Sequence, residues 1–162
     1  MRKEQVESLL SHAKTDLARI ESEYNNALRQ KNISDSLKID IKNLLENLRS
    51  ILDYVAHDIY EQKIKPDRIA NSRPDIQKIY FPYGKIQKDF NSGLGSFLPN
   101  LINIDNDLFL IIESIQPFKV GDNWLCDFCD ITNEKKHCSL TPQERIEMPE
   151  TSLGNAVKVG MG

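Results

Sequence analysis

Two long stretches of apolar residues at helical spacing, joined by a short polar break, constrain this chain more than any other feature. Steps of three and four residues place apolar side chains on one side of a helix. The first stretch covers residues 3–30. The second begins at Ser34 or Asp35 and carries its apolar positions at Leu37, Ile41, Leu44, Leu48, Ile51, Val55 and Ile59. Because neither apolar stripe can remain in water, the two helices are predicted to pack as an antiparallel hairpin.

Proline and glycine interrupt the helical pattern after the hairpin. Pro66 is expected to end the second helix. Residues 64–84 are predicted to form an ordered crossover in which Tyr80 and Phe81 pack into the core and Pro82 forces an extended path. The crossover therefore connects the hairpin to a second, less regular part of the domain.

Three shorter helices are predicted beyond the crossover, at residues 85–91, 105–115 and 122–136, with Gly93 and Gly95 in the break after the first. In the last of them Leu125, Phe128 and Ile131 are expected to dock on the hairpin. The fold class is therefore all-α. We expect a helical bundle domain over residues 1–138, built on a long antiparallel αα-hairpin with three shorter helices.

The composition changes from Ser139 onward, where apolar residues become sparse and only Ala156–Val159 resembles a strand. Residues 139–162 are predicted to form an extended tail that is irregular or partly β. One hypothesis is that the natural polypeptide continues into a β-rich region.

Length and charge limit the classes of function that the chain can have. Its 162 residues suit one domain. With 21 Lys and Arg against 24 Asp and Glu the net charge is −3, which disfavours a duplex-DNA binder but leaves room for a local RNA groove. The longest apolar run, Leu108 to Ile112, is far below the roughly 20 residues of a membrane span. The N-terminus has no continuous apolar signal segment, so a cytoplasmic protein without a membrane partner is predicted.

A polar file lies beside the apolar stripe of the second helix, where Arg49, Asp53 and His57 are spaced by four residues. One hypothesis is a catalytic site in which the guanidinium holds a phosphate and an imidazole oriented by a carboxylate moves a proton. The same spacing also fits an ordinary solvated ladder of charged pairs.

Asn133 and His137 form a second polar pair one turn apart at the end of the last predicted helix, next to Lys136. Cations at a helix C-terminus respond to the helix dipole, which explains Lys136 and His137 without a site. The amide and the imidazole could instead belong to a catalytic site or a buried network, with Lys136 as a ligand-binding residue.

Three cysteines, Cys126, Cys129 and Cys138, lie within thirteen positions, and with His137 they offer four zinc-type ligands. On a continuing helix, however, Cys138 points about 100° away from His137, so buried thiols without a metal are expected instead. No P-loop and no dinucleotide-binding glycine fingerprint is present. No metal and no cofactor is therefore predicted.

Several short motifs in a fixed order are similar to those of a widespread family of uncharacterised bacterial helical proteins. They are Leu48-Arg49-Ser50-x-Leu52-Asp53-Tyr54, Tyr80-Phe81-Pro82, Ile115-Gln116-Pro117-Phe118, and Leu125-x2-Phe128-x2-Ile131-x-Asn133-x2-Lys136-His137. The similarity spans about residues 44–138, and Cys126 and Cys129 fall on its spacer positions.

More distantly, the long hairpin with shorter helices resembles HEPN domains, helical bundles that often dimerise and include RNA-cleaving toxins and phage-defence effectors. Their signature places four to six residues between an arginine and a histidine, whereas Arg49 and His57 have seven between them. The resemblance implies an RNA-directed protein in which Arg49 contacts the scissile phosphate and His57 or His137 is the general base, with no metal. The alternative is a non-enzymatic interaction module, a homodimer through the long helices.

Overall fold

The computed structural model describes residues 2–134, and its elements are helical throughout that range. Helix α1 spans Lys3–Gln30 and helix α2 spans Asp35–Ile59. The Ser34 hydroxyl accepts a hydrogen bond from the Leu37 backbone N–H at 3.1 Å and so caps α2. The predicted antiparallel hairpin is confirmed, because α1 and α2 pack along each other.

The described chain contains two regions with separate cores. We call residues 10–48 the arm and residues 49–134 the head. The arm buries side chains from α1 and α2 alone, namely Ala13, Ile20, Ala27, Leu37 and Leu44. The head encloses a larger core that includes Ala56, Tyr60, Ile64, Ile79, Phe81, Phe90, Leu98, Leu101, Phe109, Ile112 and Leu125. Only in the head is α2 covered by more than one neighbour.

The predicted helix end at Pro66 is wrong. A π-helical turn, Tyr60–Ile64, follows α2 directly, and helix α3 continues over Lys65–Ala70. Pro66 lies in the first turn of α3, where a residue without a backbone N–H is tolerated. The helical path therefore runs on past the proline.

The crossover after α3 is extended and ordered, but only part of its predicted packing is correct. Ile79 and Phe81 are buried, whereas Tyr80 is 45% exposed. Alternate side chains of an extended segment point to opposite sides, so burial of Phe81 turns Tyr80 outward. The outward ring of Tyr80 packs edge-to-face against Phe97 at 5.5 Å between centroids.

Helix α4 spans Gln87–Phe97 and is longer than predicted, because it continues through Gly93 and Gly95. Burial of Phe90, with Leu94 and Phe97 packed against the same core, outweighs the roughly 1 kcal/mol cost of each glycine in a helix. Glycine is needed before this helix instead. A Cβ at Gly84 would lie 2.3 Å from the Phe90 backbone nitrogen.

The remaining helices are α5, Leu101–Ile104; α6, Asn106–Ser114; α7, Pro117–Val120; and α8, Trp124–Glu134. The predicted helices at 105–115 and 122–136 correspond to α6 and to the described part of α8. The short helices α3, α5 and α7 were not predicted. The face of α8 that packs inward also differs: Leu125, Cys126, Cys129 and Thr132 are buried, Phe128 is partly buried and Ile131 is exposed.

Gln116 joins two of the short sequence motifs inside the head. Its side chain is fully buried. The amide donates to the carbonyl oxygens of Pro82 and Ile112, at 3.3 and 3.0 Å, and its oxygen accepts from the Gly84 N–H at 3.2 Å. The crossover is thereby fixed against the end of α6.

None of the helices in residues 2–134 is long and apolar enough to cross a membrane. The predicted tail at 139–162 lies outside the described residues.

Candidate functional site

Arg49 is the centre of a polar cluster between α2, α8 and the crossover. Its Nη1 donates to the Sγ of Cys129 on α8, and its Nη2 lies 3.4 Å from the Oδ1 of Asp53, one turn along α2. The guanidinium carbon lies 5.2 Å from the centroid of the Tyr83 ring. A cation over an aromatic face is stabilised by the ring quadrupole, so three neighbours fix the position of the guanidinium.

Asp53 connects α2 to the crossover. Besides its ion pair with Arg49, its Oδ1 accepts a hydrogen bond from the Phe81 backbone N–H at 3.0 Å. The carboxylate therefore fixes Arg49 relative to the backbone at Phe81. The sequence hypothesis gave Asp53 a different role, that of orienting an imidazole.

Asn133 approaches the cluster from α8. Its side-chain amide donates to the hydroxyl of Tyr83 at 3.0 Å. Since Tyr83 also stacks with Arg49, the tyrosine links the polar residue of α8 to the polar file of α2.

An open cleft of about 340 Å³ lies over this cluster. Its wall consists of Arg49, Tyr80, Phe81, Tyr83, Gly93, Phe97 and Asn133. One cation, one amide and four aromatic rings therefore face the same space. Such a combination of flat apolar faces with a few placed polar groups is typical of small-ligand sites.

Burial shifts the acid–base properties of the groups behind the cleft. Loss of solvation raises the pKa of the Cys129 thiol to about 11, although the nearby Arg49 charge favours the thiolate. Burial also raises the pKa of Tyr83, and the proximity of Cys129 adds to the shift. Cys129 is therefore a neutral thiol near pH 7, and Tyr83 keeps its proton.

The structure brings together some of the predicted site residues. Arg49 and Asn133 line one cleft, and Asp53 holds Arg49 there. His57 is partly buried one turn beyond Asp53 on α2 and does not belong to the cleft wall. Lys136 and His137 lie outside the described residues, so their roles stay predictions.

Tyr83, Tyr80 and Phe97 are the site residues that sequence reasoning missed. The sequence predicts that Tyr80 packs into the core under the crossover. The available signal was the aromatic run Tyr80-Phe81-Pro82-Tyr83, whose alternation places Phe81 inward and leaves Tyr80 at the cleft. Phe97 had no signal, because the helix that positions it was predicted to end before Gly93.

Cys126 and Cys129 are free, buried thiols, as expected for small core residues. Across residues 2–134, no three His, Cys, Asp or Glu side chains are grouped to hold a metal ion. His137 and Cys138, the other two zinc-type ligands considered from the sequence, fall beyond this range.

Comparison of the chain with protein-family models, curated protein sequences and solved structures gives no match.

Proposed function

We propose that this helical protein binds RNA and takes one nucleotide of a single strand into the Arg49 cleft. The observation that carries the proposal is the shared wall of the cleft, in which Arg49 and Asn133 lie beside four aromatic rings, among them the exposed ring of Tyr80. Single-stranded RNA is recognised by stacking of unpaired bases on aromatic side chains and by polar contacts to their edges and to phosphate.

Tyr80 supplies the surface for stacking. Nearly half of the residue is exposed, and its edge-to-face contact with Phe97 fixes the ring. A ring that is already held loses little conformational entropy when a base stacks on it. Stacking on such a platform is worth about 1–3 kcal/mol per base and tolerates any base.

Arg49 and Asn133 supply the polar contacts. A guanidinium carries five N–H donors, and the contacts to Cys129 and Asp53 do not use all of them. The remaining donors suit a phosphate oxygen. The Asn133 amide donates to Tyr83, which leaves its carbonyl oxygen to accept from a base edge.

The net charge of −3 favours a local contact over a long basic groove. Each phosphate neutralised on a single strand contributes about −0.7 to the slope of log K against log salt. We therefore expect a slope near −1, as for one or two phosphates.

Fluorescence anisotropy with a short labelled single-stranded RNA in EDTA tests the proposal. Tyr80→Ala is expected to weaken binding about tenfold. Trp124→Ala is the matched control, because Trp124 is 47% exposed against 45% for Tyr80 and does not line the cleft. Equal binding by wild type and Tyr80→Ala would contradict the proposal.

The same RNA, analysed for cleavage products, tests the catalytic hypothesis. Metal-independent cleavage that is lost in both Arg49→Ala and His137→Ala would identify an RNase whose active site includes the cleft. RNA that is bound and stays intact would define a non-catalytic RNA-binding protein.

A second candidate function is a homodimeric interaction module, and one observation favours it. Helix α1 exposes Leu10, Leu17, Tyr24 and Leu28 on one side of the arm, and exposed apolar side chains that adjoin one another are typical of an interaction surface. Sedimentation equilibrium over a range of protein concentrations tests this candidate, because a monomer at every concentration would exclude it.

A further inference from the structure

Helix α1 carries two apolar rows at seven-residue spacing, and only one of them is covered. Ala13, Ile20 and Ala27 are buried against α2. Leu10, Leu17 and Tyr24 form a second row, which Leu28 extends by one turn; we call these four residues the outer row. They remain 40%, 54%, 42% and 54% exposed, respectively. Repeats of seven residues are the spacing with which one helix packs along another.

We propose that the outer row binds the outer row of a second copy of this chain, with the two α1 helices antiparallel and Leu17 opposite Leu17 of the partner subunit. The inference rests on the homodimer candidate above, to which it adds the face, the direction and the register. It is independent of the RNA cleft.

The spacing of the outer row is self-complementary in this register. Leu17 lies seven residues from both Leu10 and Tyr24. A two-fold axis through Leu17 therefore places Leu10 of each copy against Tyr24 of the other, as a closed symmetric dimer requires.

Charge on the flank of the outer row selects the antiparallel direction. Lys14 and Glu21 each follow a leucine of the row by four residues, so they project on the same side of it. In an antiparallel pair, the two-fold axis places this flank of one helix beside the same flank of the other helix. Lys14 of one copy then lies beside Glu21 of the other, and the contact occurs twice.

The charges of Lys14 and Glu21 are unpaired among the described residues. Both are exposed, and neither forms an ion pair with another residue of the range 2–134. The positions three and four residues from each are uncharged, so the helix offers them no partner of its own.

A parallel dimer would not pair Lys14 with Glu21. Its two-fold axis brings the Lys14 flank against the opposite flank of the partner helix, where Ala13, Ile20 and Ala27 lie under α2. Lys14 of one copy and Glu21 of the other then lie on different sides of the interface.

Sedimentation equilibrium of the full-length chain tests the face. Leu17→Glu places two carboxylates against each other on the two-fold axis and is expected to raise the dimer dissociation constant at least a hundredfold, an estimate based on the cost of burying unpaired charge. Ile39→Glu is the matched control, because Ile39 is 58% exposed on α2 outside the outer row. This control should dimerise like the wild type.

Charge reversal tests the register. Lys14→Glu is expected to weaken the dimer about tenfold, because two attractive pairs become repulsive. The combination of Lys14→Glu with Glu21→Lys should restore the wild-type constant. Circular dichroism melting at a concentration where the chain is monomeric shows that each variant folds.

The outcomes separate the inference from the homodimer candidate. A monomer at all concentrations overturns both. A dimer that Leu17→Glu does not weaken overturns the outer row and leaves a homodimer through another face. Failure of the double reversal to restore the single one overturns the antiparallel register.

Discussion

The arm and the head bury their side chains in different ways. The arm is two helices thick, and its core is one line of small and medium side chains, among them Ala13, Ile20 and Ala27. The head surrounds Tyr60, Phe90, Leu98, Leu101 and Leu125 from several directions, so that each is at most 1% exposed. Long regular helices alone therefore leave apolar surface on the arm, whereas irregular segments complete the burial in the head.

The largest expected loss of stability comes from truncating a side chain in the core of the head. Phe90 is fully buried and packs against the rings of Phe109 and Phe118, with centroids at 6.2 and 5.9 Å. Phe90→Ala leaves a cavity enclosed on all sides and is expected to lower the free energy of unfolding by about 3–5 kcal/mol. Urea denaturation followed by circular dichroism measures this change.

Ile20→Ala is the corresponding core truncation in the arm, and it removes fewer atoms than Phe90→Ala. Ile20 is buried between helices whose neighbouring core residues include Ala13 and Ala27, and the arm can close partly around the missing atoms. We expect a loss near the lower limit for such truncations, about 2 kcal/mol. A loss equal to that of Phe90→Ala would break the distinction between a thin arm and an enclosed head.

A smaller effect is expected where the head depends on hydrogen bonds instead of apolar packing. Gln116→Leu keeps the volume of the side chain but removes its bonds to Pro82, Ile112 and Gly84. Leaving a buried backbone group without a hydrogen-bond partner costs about 1–3 kcal/mol, and we expect the free energy of unfolding of the variant to fall by an amount in this range. Chemical denaturation should show a decrease within this range.

Gln87→Leu is the control for this prediction, because Gln87 is exposed and its one side-chain hydrogen bond, to Glu113, is long at 3.5 Å. We expect its effect to stay within about 0.5 kcal/mol. If Gln116→Leu and Gln87→Leu had the same free energy of unfolding, the hydrogen bonds of Gln116 would not stabilise the head.

The difference between the two regions also explains what could be predicted from the sequence. In the arm a regular pattern fixes both the helices and their mutual packing, so the bounds of α1 and the N-cap of α2 at Ser34 were predictable. In the head the packing decides the local structure. Pro66 and Gly93 are helix breakers by propensity, yet both lie in helices. Pro66 occupies the first turn of α3, where its missing N–H is tolerated, and α4 continues through Gly93 because Phe90 is buried in the core.

The candidate site was partly predictable for the same reason. Regular spacing on α2 identified Arg49 and Asp53, and the pairing of Arg49 with Asn133 across one cleft follows from the contact between α2 and α8. Tyr83 is positioned by the crossover, and Phe97 by the part of α4 that continues beyond the predicted helix end. No periodicity in the sequence encodes those positions.

The smallest expected effect concerns one ion pair of the head. Asp105 accepts hydrogen bonds from Lys63 in the π-helical turn, at 3.0 Å, and from the Leu108 N–H at the start of α6, at 3.1 Å. The Lys63 contact, followed by the Leu108 N–H, lowers the pKa of the Asp105 carboxyl below its ordinary value. The native state therefore binds the proton less readily than the unfolded chain.

This shift gives Asp105 a defined dependence on pH. Its stabilising contribution is fully present above the unfolded-state pKa of about 3.9 and is lost as the pH falls through the lower native value. Asp105→Asn should therefore have a lower melting temperature than the wild type at pH 7, and the difference should decrease towards about pH 2. Differential scanning calorimetry over this range measures it.

Asp107→Asn provides the control, because Asp107 lies in the first turn of the same helix but forms no hydrogen bond or ion pair of its side chain with the residues described. Its melting difference from the wild type at pH 7 should be the smaller one. In the arm, the Arg19 guanidinium donates to Asp40 at 2.7 Å, and this contact raises the pKa of Arg19 further above its ordinary value. Arg19 therefore keeps its charge over the whole pH range of this experiment. A melting difference for Asp105→Asn that stayed constant down to pH 2 would show that the carboxylate charge does not hold α6 against the π-helical turn.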